Sequence, residues 1–121
     1  MKNVIFFYVP FPSSETAIEI CTTLLEQRLI GCVNIMPIQS IYRWEGVVTK
    51  EAEVVAVIKT TDALASIVKE TIERLHPYAV PCIAQASVVA NDAFAQWLKT
   101  ECSALPSFFC FGLLSLPIIF L

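Results

Sequence analysis

Histidine appears once and glycine three times among the 121 residues of this chain. A lone imidazole cannot make a metal centre without donors of other kinds, and so few glycines leave no glycine-rich loop to cradle a phosphate. Charge is sparse as well. Eight Lys and Arg against eleven Asp and Glu give a net charge of −3, which carries no electrostatic footprint for nucleic acid. The five cysteines are odd in number and include no Cys-x-x-Cys pair, arguing against a disulfide framework and against a zinc knuckle. Met1-Lys2-Asn3 runs straight into an apolar stretch with no basic leader, so a reducing cytoplasm is the expected compartment. No linker or internal repeat divides the chain, and its length suits one domain with its own core.

Catalytic constellations are missing too. Ser13, Ser14 and Ser40 have no base nearby in sequence, and the Pro10-Phe11-Pro12 turn is unsuited to holding a phosphate. The expectation is a protein that is not an enzyme, with a small hydrolase kept as a distant reading.

What is abundant is apolar side chain, 56% of the residues. Val4 to Val9 form an uninterrupted apolar run, expected as a strand buried on both faces and ended by Pro10 and Pro12. Ser13 or Ser14 caps a helix whose stripe is Ala17, Ile18, Cys21, Leu24, Leu25 and Leu29, with Gly31 as its stop. Residues 31–44 read as a second strand bent at Pro37, which implies an edge or a bulge. Residues 47–60 return as a third strand. Thr61 or Asp62 then caps a second helix burying Leu64, Ile67, Val68, Ile72 and Leu75, and Pro77 ends it with His76 extended. Residues 82–90 give a fourth strand, and Asn91 caps a short helix bearing Phe94, Trp97 and Leu98. The order βαββαβα predicts an α+β, ferredoxin-like βαββαβ sandwich with an extra C-terminal helix and an antiparallel sheet.

A two-residue turn at Glu45-Gly46 pairs Trp44 with Val47 and Tyr42 with Thr49. The even residues Val48, Ala52, Val54, Ala56 and Ile58 are then expected under the helices. The odd ones, Glu53, Val55, Val57 and Lys59, share the other face with Tyr42 and Trp44. Helices are expected to cover only one face of such a sheet, so the odd face is expected as an exposed apolar patch, and another copy of the chain is the economical cover.

Two segments stand out: Ser40-Ile41-Tyr42-Arg43-Trp44-Glu45-Gly46, and His76-Pro77-Tyr78-Ala79-Val80-Pro81. With Arg28-Leu29, Cys32-Val33-Asn34, Glu53, Lys59-Thr60 and Trp97-Leu98 in order between Val4 and Leu98, the chain resembles the CutA-type divalent-cation tolerance proteins. The resemblance implies a homotrimer and a role in binding or tolerating divalent metals such as copper, with no catalytic reaction and no required cofactor. The resemblance also suggests an alternative, a PII-like regulatory module binding a small anionic metabolite at subunit clefts.

Candidate site residues follow. His76 is a neutral donor suited to copper or zinc, or simply a cap on a helix end. Some metal-binding relatives have a cysteine where Pro10 stands and a second histidine where Leu75 stands. Cys82 replaces a carboxylate and can supply a soft thiolate, or fill space as a small hydrophobe. Cys21 and Cys32 are expected in the core. Trp44, Glu53, Lys59 and Tyr78 are the candidate ligand pocket. Glu53 and Lys59 sit roughly 20 Å apart along one strand, so each is either a separate surface charge or part of a cleft completed by a neighbouring subunit. Tyr42, Trp44, Tyr78 and Trp97 can stack on a planar ligand or pack at core and interface.

Residues 1–102 thus make the domain, and residues 103–121 an uncharged apolar tail. Its length is near the lower limit of a membrane span, but Pro106, Gly112, Pro117 and the lack of basic flanks weaken that reading. A segment packed at a subunit contact is therefore expected first, a tail anchor second and an extension foreign to the family third.

Overall fold

The computed structural model describes residues 1–103. The apolar tail expected to pack at a subunit contact therefore lies, from residue 104 onward, outside the described residues. The elements are β1 (Lys2–Phe11), α1 (Ser14–Glu26), β2 (Cys32–Trp44), β3 (Val47–Thr60), a 3₁₀ turn at Asp62–Leu64, α2 (Ala65–Leu75), β4 (Ala84–Ala90) and α3 (Asp92–Glu101). The four strands form one antiparallel sheet in the order β2-β3-β1-β4, which is the ferredoxin-like arrangement.

The hairpin between β2 and β3 has the expected register, Trp44 opposite Val47 and Tyr42 opposite Thr49. Glu45 and Gly46 both take positive φ, 50° and 82°, the pair of left-handed residues that a tight hairpin turn requires. Pro37 sits on β2, an edge strand, where its missing N–H leaves no gap in the sheet interior.

Alternation along the strands divides the interior in two. Ile5, Phe7, Val9 and Phe11 of β1 and Val54, Ala56 and Ile58 of β3 pack with α1 and α2 through Ala17, Ile20, Cys21, Leu24, Val68 and Ile72. The opposite parity of β1 carries Val4 and Phe6, which pack with Ala95, Leu98 and Cys102 of the α3 segment. Helices therefore cover parts of both faces, contrary to the expectation of one. Val55, expected open, is only 2% exposed, and Val57 is half-buried. Val48 and Ala52 depart in the other direction. Their parity is right, but β1 pairs only with Val54–Thr60, so the β2–β3 ribbon projects past the helices and leaves both exposed.

The helices show smaller departures. Ser13 caps α1 through its hydroxyl, which accepts from the Thr16 N–H at 3.2 Å. Ile20 faces the core, whereas Ile18 and Leu25 point outward, as do Ile67 and Leu75 of α2 and Trp97 of α3. Gly31 does not stop α1. The helix ends at Glu26, and Arg28 takes the left-handed position at φ 60°, which costs a side-chain-bearing residue about 1–2 kcal/mol. The Arg28 guanidinium holds it there, donating to the Thr100 carbonyl at 2.9 Å and lying 3.3 Å from Ser103 Oγ. Gly31 serves space rather than conformation, because a Cβ there would lie 2.2 Å from Leu98 Cδ1. Cys21 is buried as expected, but Cys32 is only half-buried.

Candidate functional site

The His76-Pro77-Tyr78 segment leaves α2 at an extended His76 (φ −69°, ψ 135°), whose N–H still bonds the Ile72 carbonyl at 2.8 Å. Pro77 forbids further helix, and the chain folds the imidazole inward. The ring is 8% exposed, so His76 is part of the packed interior and not, as its place at a helix end suggested, outside it. Nδ1 accepts the Tyr78 N–H at 3.1 Å. That acceptor role puts the proton on Nε2, which donates to the Pro10 carbonyl at 2.8 Å. The ring stacks on Phe11 (centroids 4.6 Å apart, planes at 16°) and lies 4.8 Å from the Tyr78 ring. Both nitrogens of the neutral ring are in use.

Tyr78 continues the chain of contacts by donating its hydroxyl to Glu53 Oε2. Two residues earlier on the same face of β3, Glu51 accepts the hydroxyl of Tyr42. Burial and the Glu53 hydrogen bond push the Tyr78 phenol well above its ordinary value. The Tyr42 phenol is also raised, first by its bond to Glu51. The arrangement is two carboxylates, each served by a protonated phenol, at the base of the projecting ribbon. A depression of about 250 Å³ beside it is lined by Gln39, Ser40, Lys50, Glu51 and Ala52.

Of the residues singled out in the sequence, the structure joins Glu53, Tyr78 and His76. Lys59 is six residues from Glu53, roughly 20 Å along β3. Its ammonium donates to Asn34 Oδ1 and lies 5.4 Å from the centre of the Phe6 ring. Trp44 is 50% exposed at the hairpin end, paired with Val47, and is about as far from Glu53 in the other direction. Cys82 is an exposed free thiol in the segment before β4, which begins at Ala84 and not at residue 82. Among the described residues, no three His, Cys, Asp or Glu side chains are grouped so as to hold a metal ion. Sequence reading passed over Glu51 and the Pro10 carbonyl, and took Tyr42 as a stacking or packing surface rather than as the partner of Glu51. Glu51 carried a usable signal, since it shares its parity with Glu53.

Residues 5–101 match the family described as CutA1 divalent ion tolerance protein. The chain belongs to the CutA1 family. The divalent-cation tolerance protein CutA of Pyrococcus horikoshii is 39% identical over 99 residues, 81% of this chain and 97% of that one. Its counterpart from Thermus thermophilus is 40% identical over 101 residues, 82% and 96% of the two chains. Crystal structures agree with the fold. CutA1 from Pyrococcus horikoshii superimposes with a TM-score of 0.78 at 39% identity, covering 80% of this chain and 96% of that one. CutA1 from Ehrlichia chaffeensis gives 0.80 at 38% identity, covering 87% and 99%. The match ends at residue 101, so the apolar tail lies beyond the stretch shared with the CutA1 family.

Proposed function

We propose that this chain serves in tolerance of divalent cations, copper among them, as a non-enzymatic homotrimer of the cytoplasm that needs no cofactor. The observation that carries this reading is the relatedness itself: proteins described as divalent-cation tolerance protein CutA align with this chain over almost their whole length. An apolar surface supports self-association. Tyr8, 47% exposed, lies across the strands from Val57, and Met36, 45% exposed, lies across from Val55 on the same face. Val47 continues that face along the ribbon, while Ile41 and Val48 lie exposed on its other side. Side chains of this kind gathered in one region call for a cover, and the count of three copies is what the family resemblance implies.

Copper in this reading is held weakly by His76, with Cys82 as a soft helper. To coordinate through Nε2, the imidazole must give up its proton and its bond to the Pro10 carbonyl, and this competition keeps the affinity low. Native mass spectrometry of the full-length chain with and without copper(II) tests both parts. The expected result is three copies per particle and copper adducts that diminish in His76→Ala and in Cys82→Ser. A single-chain mass overturns the trimer, and copper uptake unchanged in both variants overturns the metal site.

A further inference from the structure

Cys102 ends α3 with its thiol inside the cluster formed by Val4, Ala95 and Leu98, and is 7% exposed. Its Sγ lies 3.9 Å from Thr60 Oγ1, and 3.5 Å from where a Cβ would stand on Gly31. The residue after Gly31 is Cys32, the first of β2. Adjacent Cα atoms are about 3.8 Å apart, so the backbone of Cys32 runs beside the Cys102 thiol. The strand register points the same way. Cys32 pairs with Lys59 and shares the parity of Asn34 and Met36, while Val33 and Ile35, of the other parity, pack against the core beneath α1 and α2. The Cys32 side chain is thus directed to the face that α3 covers.

We propose that Cys32 and Cys102 form an intramolecular disulfide under mild oxidation and so clamp α3 to the start of β2. The oxidant is a low-molecular-weight disulfide, for which oxidised glutathione is the probe. Half-buried Cys32 attacks first: its thiolate forms a bond to one glutathione sulfur and expels the other as thiolate. Cys102 then loses its proton to solvent and attacks the Cys32 sulfur, expelling the second glutathione. Two protein thiols are oxidised, and one glutathione disulfide becomes two thiols.

The order of attack follows from burial, which raises the Cys102 thiol and makes it the resolving group. The negative charge of a Cys32 thiolate raises the Cys102 thiol further. The other described thiols differ. Cys21 is sealed beneath α1, its thiol pushed up to about 12 by burial, and Cys82 is exposed. A reversible bridge of this kind suits a reducing compartment, where disulfides are transient and regulatory.

The test is to treat the full-length chain with oxidised glutathione, block free thiols, digest and map. The expected product is a Cys32–Cys102 linked peptide formed within one chain, with an unfolding midpoint above that of the reduced protein. Cys82→Ser should leave both results intact. Cys102→Ser should abolish the link and the shift, and leave Cys32 as a glutathione adduct. Recovery of Cys32 and Cys102 only as adducts, or linked to Cys110 or to a second copy, overturns the proposal. A link with no rise in midpoint overturns the clamp.

Discussion

His76 donates its Nε2–H to the carbonyl of Pro10, 66 residues earlier, at 2.8 Å. With Nδ1 accepting from Tyr78, this one side chain joins the end of α2 to the end of β1 and holds the loop that carries Tyr78 to Glu53. A proline at position 10 suits the arrangement, since the residue contributes a carbonyl and needs no donor of its own.

His76→Ala should therefore destabilise the fold, by roughly 2–4 kcal/mol for two buried hydrogen bonds and an aromatic stack. Urea unfolding checks this through the transition midpoint. A variant as stable as the parent would mean that the imidazole does not tie these elements together.

Legibility in the sequence followed the physics of each feature. The β2–β3 register could be read because Glu45-Gly46 admits one tight turn, and the alternation of Val54, Ala56 and Ile58 then fixed which side faced the core. Where the ribbon leaves the core could not be read, because it depends on the length of β1, a partner more than forty residues away in sequence. Val48 was misplaced for that reason. The packing of α3 on the opposite face was hidden too, since Val4 and Phe6 look like any other members of an apolar run. At the site, residue types pointed to His76, Tyr78 and Glu53. Their joining rests on a main-chain carbonyl, which no side-chain pattern can reveal.

Tyr78 provides a prediction in alkali. Its phenol is raised in the folded chain and returns to an ordinary value near 10 on unfolding, so above that pH the folded state holds a proton that the unfolded state has lost. The stability it contributes is whole below about pH 10 and declines as pH climbs toward the folded value. Tyr78→Phe should lower stability at neutral pH by about 1 kcal/mol and flatten its fall between about pH 9.5 and pH 11. Parallel slopes for parent and variant would show that Tyr78 does not govern the alkaline loss.

Gly31 has little freedom. Gly31→Ala would bring a methyl group against the end of the fully buried Leu98 side chain, which must shift within the interior to admit it. The expected cost is about 1–3 kcal/mol, with faster hydrogen exchange along α3 than along α2. If exchange quickens equally in both helices, Leu98 is not the point of strain.

Val57 tests self-association separately from folding. It is half-buried in the single chain and lies across from exposed Tyr8, so a carboxylate there can reach water in a monomer. In an assembly that covers this face, the same carboxylate is enclosed without a partner. Each Val57 lost from such a contact forfeits on the order of 1.5–3 kcal/mol of apolar burial, before the penalty for enclosing a charge. Val57→Glu should therefore sediment as monomer or aggregate while keeping the circular dichroism of the folded chain, and Val57→Ala should weaken association less. A Val57→Glu protein that still sediments as trimer with unchanged stability would show that association uses another surface.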